Sequence, residues 1–163
     1  RFLDTQHMQI QQTIAPSTTY TIKMHSIQGL VPELFVCFRE SLAAASNGSS
    51  TFAVPSNYEL LDDLGKSLFN SNSIDCNYLR EVILPKHYNS KFPSVKAVIV
   101  HPFVESPQTL RDQPFNKGYM TFHDNQLRFN SGALDDDYYI DVLAKSYATL
   151  TIRSDGQVEV NRS

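Results

Sequence analysis

From Thr18 to His25 the chain reads Thr-Thr-Tyr-Thr-Ile-Lys-Met-His, so Tyr20, Ile22 and Met24 face one way while Thr19, Thr21, Lys23 and His25 face the other. A period of two with one polar side predicts a half-buried β-strand. The pattern recurs along the chain. Met8, Ile10 and Ile14 sit at even intervals in a strand from about Thr5 to Ile14, and Pro16-Ser17 turns the chain. Glu33 to Arg39 encloses the apolar run Leu34-Phe35-Val36-Cys37-Phe38, which suits a central strand covered on both faces. Asn77 to Leu84 reads as a strand ended by Pro85, and Val95 to Val100 as a buried β-branched run. Tyr119 to Phe129 has strand character interrupted at Asp124-Asn125, and Tyr138 to Ile152 supplies one long bent strand or two short ones. Ser154-Asp155-Gly156-Gln157 predicts a hairpin with a type I′ turn between Leu150-Thr151-Ile152 and Val158-Glu159-Val160. Leu60, Leu61, Leu64 and Leu68 fall at helical spacing, predicting a short helix over Tyr58 to Phe69 that Gly65 weakens. The expected fold is all-β, an antiparallel β-sandwich of about eight strands with at most one short helix. Tyr20, Ile22, Phe35, Ile99, Val142 and Ile152 are its expected core.

Composition narrows the class. At 163 residues and 41% hydrophobic side chains, one domain over residues 1–163 is the expectation. A chain of that size buries roughly 70% of its unfolded surface and needs no disulfide staples. Fourteen basic against seventeen acidic residues give a net charge of −3, without the concentrated basic face that duplex binding requires, so no direct nucleic-acid contact is expected. No run of eighteen apolar residues is present, and a membrane-spanning helix is not expected. No signal peptide is visible, and a chain starting at Arg1 reads as a fragment, a processed product or a trimmed numbering.

Candidate chemistry is sparse. Cys37 and Cys76 lie in different predicted strands and read as buried free thiols, since two thiols without a His/Cys set do not make a zinc site. The five histidines, His7, His25, His87, His101 and His123, are scattered singly. Asp135-Asp136-Asp137 is the densest acidic cluster and reads as a solvated turn, because consecutive strand residues point opposite ways. No Gly-x-Ser-x-Gly elbow and no glycine-rich phosphate loop occur. Ser41 to Pro55, rich in Ala, Ser, Asn and Gly, reads as a projecting loop. Asn47-Gly48-Ser49 and Asn161-Arg162-Ser163 match the glycosylation triplet, a common chance pattern. Ten Phe and eight Tyr without a Trp suit the filling of an inter-sheet space better than a sugar platform.

The second half carries a resemblance. Ala97-Val98-Ile99-Val100-His101-Pro102-Phe103 is followed by Glu105-Ser106-Pro107 and then by Gln113-Pro114-Phe115-Asn116-Lys117-Gly118-Tyr119-Met120-Thr121-Phe122. That order resembles the C-terminal jelly roll of the double-jelly-roll major capsid proteins of adenoviruses, large DNA viruses of eukaryotes and tailless icosahedral phages. Tyr138 to Ile152 occupies the position of the family's last long strand. The match departs where three residues separate Pro114 from Gly118 and where His123 follows Phe122. The resemblance implies a jelly roll that is the second half of a two-domain protein, a cleaved piece of one, or a relative with one jelly roll per chain. It implies a structural, non-enzymatic virion protein located in the capsid, self-assembling with copies of itself as a trimeric capsomer and with other capsid proteins, and using no cofactor.

Within it, Phe103, Leu110 and Phe115 stand in a segment punctuated by Pro102, Pro107 and Pro114, which reads as surface chain and makes them candidate subunit contacts. Two other readings compete: a carbohydrate- or receptor-binding sandwich using the Ser41 to Pro55 loop and exposed tyrosines, and a jelly-roll enzyme using His87, His101 or His123 as ligand or base. No ligand spacing favours a metal. A chelator is therefore expected to leave the thermal melt of the purified protein unchanged, and stoichiometric zinc or iron whose removal lowers the melting temperature would contradict this reading.

Overall fold

The computed structural model describes residues 2–14, 19–40, 52–53, 55–69, 73–88, 98–103, 119–130 and 138–161. Twelve strands lie among them. One sheet holds β1 (Phe2–Ile14), β4 (Glu33–Glu40), β5 (Phe52–Ala53), β8 (Val98–Pro102), β11 (Tyr138–Ile152) and β12 (Val158–Asn161). β1 runs beside β11, β11 beside β4, and β4 beside both β8 and β5, while β12 also pairs with β11. The second sheet has the order β2 (Thr19–Lys23), β10 (Gln126–Asn130), β6 (Asn57–Leu61), β7 (Ile74–Asp75). A two-stranded ribbon, β3 (Gly29–Val31) with β9 (Met120–Phe122), completes the set. Every pairing is antiparallel. The chain weaves between the main sheets so that β1-β11-β4-β8 faces β2-β10-β6-β7, which is the jelly-roll arrangement.

Alternation along each strand builds the core. In β11, Tyr138, Ile140, Val142, Ala144 and Ser146 are buried while Tyr139, Asp141, Leu143 and Lys145 are only partly so. In β10, Leu127 and Phe129 are buried between Gln126, Arg128 and Asn130. The sheets meet through aromatic rings: Phe38 of β4 stands edge-on to Phe129 of β10 at 4.9 Å between centroids and 84° between planes. Tyr20 lies 5.8 Å from each of them. Such contacts add stabilisation beyond the area they bury. Of the expected core, Ile22, Ile99 and Val142 are buried and Tyr20 is half-buried, whereas Phe35 is half-buried on the outer face of β4, outside the inter-sheet core, because Leu34, Val36 and Phe38 take the inward parity. Ile152 is 54% exposed, because β11 runs past the end of the opposing sheet.

Two local expectations are corrected. Tyr58 to Phe69 is not a helix. Asn57–Leu61 is strand β6, its Tyr58 and Leu60 pointing inward and its Glu59 paired with Arg128 across the ladder to β10. The chain then turns where Asp62 Oδ1 accepts hydrogen bonds from the N–H groups of Leu64 at 3.0 Å and Lys66 at 2.7 Å, and Gly65 adopts φ 82°. Leu64, on the supposed apolar face, is 88% exposed at the turn tip. Asn77 to Leu84 is not a strand either, and Cys76 lies at a helix start. Cys76–Tyr78, Leu79–Ile83 and Leu84–His87 run end to end as one helical segment, capped by Asp75 Oδ1 accepting from the N–H of Tyr78 at 2.7 Å. Pro85 does not end it, because the middle turn widens: the N–H of Leu84 reaches Leu79 O, five residues back. A wide turn of this kind absorbs the hydrogen bond that proline lacks.

The hairpin between β11 and β12 forms as expected, with a different turn. The N–H of Gly156 bonds to Arg153 O at 3.0 Å and the N–H of Arg153 to Gln157 O at 2.9 Å, and Gly156 carries the positive φ at 81°. This is a type I turn closed by a glycine bulge, not a type I′ turn. The Asp62-to-Lys66 turn repeats the same two bonds. Most of the Ser41 to Pro55 loop, including Asn47, and all of Asp135-Asp136-Asp137 lie outside the described residues; Phe52 and Ala53 form a short strand on β4.

Ile99, 6% exposed and opposite Val36, sits in the inter-sheet core. An Ile99→Asp substitution buries an unpaired carboxylate at a cost of several kcal/mol, comparable with the stability of a whole domain. The variant is expected to be insoluble or to lose the β-type circular-dichroism spectrum at room temperature; a melt like that of the parent would contradict the placement.

Candidate functional site

Chemistry-bearing side chains gather at two places. The first is the outer face of the β8-β4-β11 strip, the face turned away from the second sheet. Direct cross-strand partners share a face, so Cys37, Val98 and Asp141 form one row and Phe35, Val100 and Leu143 the next. An outer face normally carries polar residues; here Phe35, Val98, Val100 and Leu143 make its middle apolar, with Arg39 and Asp141 toward one end and Glu33 and Lys145 at the other. Phe35, Cys37, Val98, Leu143 and Asp141 line a shallow groove of about 430 Å³. Asp141 Oδ1 has no hydrogen-bond partner, while Oδ2 lies 3.9 Å from Arg39 Nη2. Arg39 in turn sits over the Tyr139 ring, 5.2 Å from its centroid.

At the other end of this face the strip is closed by the chain itself. Glu33, 2% exposed, is paired with Lys145 Nζ across the β4–β11 ladder at 3.0 Å and accepts a hydrogen bond from the Tyr88 hydroxyl at 2.8 Å. Two donors satisfy a buried carboxylate that would otherwise be costly. The Tyr88 hydroxyl is raised above its usual range by burial first and then by the Glu33 charge, so it stays a neutral donor. Tyr88 is the residue just past the helical segment, so the helix end roofs this half of the face and leaves the groove half open.

The second place is a histidine inside an aromatic box. His101 lies on β8 with its ring 4.5 Å from Phe103, 5.7 Å from Phe69 and 5.8 Å from Tyr58 by centroids, and its Nδ1 shares a hydrogen bond with the Tyr58 hydroxyl. Burial, and secondarily the charge on His87, lowers its pKa to about 4. Burial and the neighbouring Cys76 push the Tyr58 hydroxyl well above its ordinary value. The pair is therefore neutral near pH 7, a satisfied hydrogen bond in the core rather than an acid and a base.

The remaining candidates are dispersed. His123 is exposed beside the β9–β10 turn and His87 is half-buried at the helix end; among the described residues no group of three or more His, Cys, Asp or Glu is placed to hold a metal ion. Cys37 and Cys76 are free thiols, Cys76 buried as expected and Cys37 only half-buried, because it faces the outer side of β4. Burial raises both, Cys76 to about 12, so neither is a thiolate near neutral pH. Of the candidate contacts, Phe103 is half-buried, its ring 5.6 Å from Phe122 and its N–H bonded to Pro32 O at 2.8 Å. Leu110 and Phe115 lie outside the described residues. Sequence reasoning singled out His101 without its box, and it missed the Asp141 groove. The available signal was Glu33 to Arg39, apolar at every inner position where one wet face would demand alternation.

No family model matches the chain, and no curated protein matches it in sequence. Among solved structures it is similar to the Faustovirus major capsid protein, with a TM-score of 0.64 and 10% identity over 89% of this chain and 33% of that one. The chain thus spans about a third of that protein's length. The likeness is one of fold: the jelly roll described above is shared with a viral capsid protein, and the specific lineage is not distinguished.

The histidine box sets a pH dependence. Unfolded, a histidine takes up a proton near pH 6.5; in the box His101 resists it to about pH 4. The unfolded state therefore binds more protons between these values, and stability rises with pH across that window. The contribution is complete above pH 6.5 and is lost as pH falls toward 4, amounting to at most about 3 kcal/mol. Denaturation midpoints measured at several pH values are expected to fall over this range, and His101→Phe is expected to flatten the fall; an unchanged slope in that variant would contradict the assignment.

Proposed function

We propose that the protein is a structural component of a virion, a capsid subunit that assembles with copies of itself and with other capsid proteins. The observation that carries this reading is the jelly-roll weave of β1-β11-β4-β8 over β2-β10-β6-β7, similar across 89% of the chain to part of a viral major capsid protein. The rest of the molecule is consistent with it. The two titratable clusters are neutralised or paired internally: His101 by Tyr58, and Glu33 by Lys145 and Tyr88. Neither thiol is activated. Binding energy is available instead on apolar sheet surface, which suits association without turnover. The capsomer would be trimeric, its loop segment contributing Leu110 and Phe115, with Phe103 at the segment's root. The site of action would be the capsid, with no direct contact to nucleic acid.

Electron microscopy and sedimentation of the purified protein test this reading. Trimers, pseudo-hexagonal tiles or closed shells are the expected particles. A featureless monomer at high concentration would remove the capsid reading and favour a binding module.

A further inference from the structure

Two apolar surfaces of this sheet have no cover among the described residues. One is the groove over Phe35, Cys37, Val98 and Leu143 on the outer face. The other is the β11–β12 hairpin. There Ile152 pairs with Val158 and Leu150 with Val160, so all four share one face of the ribbon. That face continues the parity of Ile140, Val142 and Ala144, the inner face of the sandwich, but overshoots the second sheet: Ile152, Val158 and Val160 are 54%, 58% and 47% exposed. The opposite face of the hairpin is polar, with Arg153 and Glu159 paired at 2.8 Å. Among the described residues no strand of the second sheet covers it, and β12 pairs with β11 alone.

The two surfaces do not meet within one molecule. Leu143 and Ile152 belong to the same continuous strand but lie on opposite faces of it, separated by nine residues, or roughly 30 Å of extended chain. A small-molecule ligand fits the groove poorly, since such sites need several converging polar groups for orientation and this one offers a single carboxylate, Asp141. What fits is a narrow apolar ribbon. A cavity of about 430 Å³ holds several aliphatic side chains, and the hairpin presents three on one face, Ile152, Val158 and Val160.

We infer that the β11–β12 hairpin of one copy docks its Ile152–Val158–Val160 face into the Phe35–Cys37–Val98–Leu143 groove of the next. The inference rests on the capsid reading and specifies its contact. Because hairpin and groove are different patches, the interface is head-to-tail, so every copy donates once and receives once, and the contact propagates into rings or arrays instead of stopping at a pair. Each contact is small against the roughly 1,200 Å² of a stable two-body interface, so it holds through repetition.

Cys37 in the groove floor supplies the test. Val158→Cys protein, checked first by thermal melting, is oxidised at concentrations where the wild type associates, then run on a non-reducing gel. A ladder of dimers, trimers and higher species is expected, absent from oxidised wild type and abolished when Cys37→Ser is added. Val160→Cys, on the same face, replaces Val158→Cys should that variant fail to fold. Cross-linking that survives Cys37→Ser would mean that hairpins meet hairpins, and would overturn the inference. So would the absence of any cross-link in protein that sediments as an assembly, an outcome that leaves the capsid reading standing. A wild type that never associates would remove both. A ladder of small rings with no tile or shell by electron microscopy would keep this contact and remove the capsid.

Discussion

The hydrogen-bond ladder of β11 is the constraint on which the rest of the molecule depends. One of its edges is filled along almost its whole length by β1, from Ile14 opposite Tyr138 to Phe2 opposite Leu150. The other is divided between β4, over Tyr138 to Lys145, and β12, over Thr149 to Ile152. Backbone pairing fixes parity, and parity sends Ile140, Val142 and Ala144 into the core while Asp141, Leu143 and Lys145 face outward. A slip of one residue would exchange the two sets, so the buried face holds the register. The groove, the Glu33–Lys145 pair and the overhanging hairpin are all outcomes of that single register.

Polar groups then lock segments that the strands alone leave free. Asn125, 5% exposed, donates from Nδ2 to Leu61 O at 3.2 Å and accepts from the N–H of His123 at 2.7 Å, while its own carbonyl receives the N–H of Met24 at 2.9 Å. One residue thus ties the ends of β2 and β6 to the β9–β10 turn. Glu33 does the same for β4, β11 and the helix end. Fully satisfied buried networks of this kind specify one arrangement, because a shifted chain leaves the groups unpaired.

Much of this was legible in the chain. The period of two identified β2, β10 and β11, and the apolar run of β4 marked a central strand, paired with β11 on one edge and with β8 and β5 on the other, although its outer face at Phe35 and Cys37 is only half-covered. Reading failed where short-range chemistry overrode spacing. Leu60, Leu61, Leu64 and Leu68 match a helix, yet Asp62 and Gly65 make a turn in their midst. Pro85 reads as a terminator, yet a widened turn carries the helix through it, and the signals that favoured helix were Asp75 as a cap and Cys76, Leu79 and Ile83 at helical intervals. Ile152 kept the parity of a core residue beyond the point where the core ends. The His101 box joins β6 and β8 to residues beyond each, and no local pattern encodes such a meeting.

The pairing of β1 with β11 has a consequence during synthesis. β1 is made before its partner, and the residues from Ile14 to Tyr138 must be translated between them, so the larger sheet cannot close until β11 has emerged. Contacts between segments so far apart in sequence are slow to form because the loop entropy must be overcome before the ladder rewards it. For that interval a thirteen-residue strand waits with both edges bare beside other nascent copies bearing the same sequence. Its complement on a neighbouring ribosome is chemically identical to its own. The topology that closes the sandwich thus opens a route to exchange of strands between chains, and places the burden of correct pairing on the cell's chaperones and on the pace of translation.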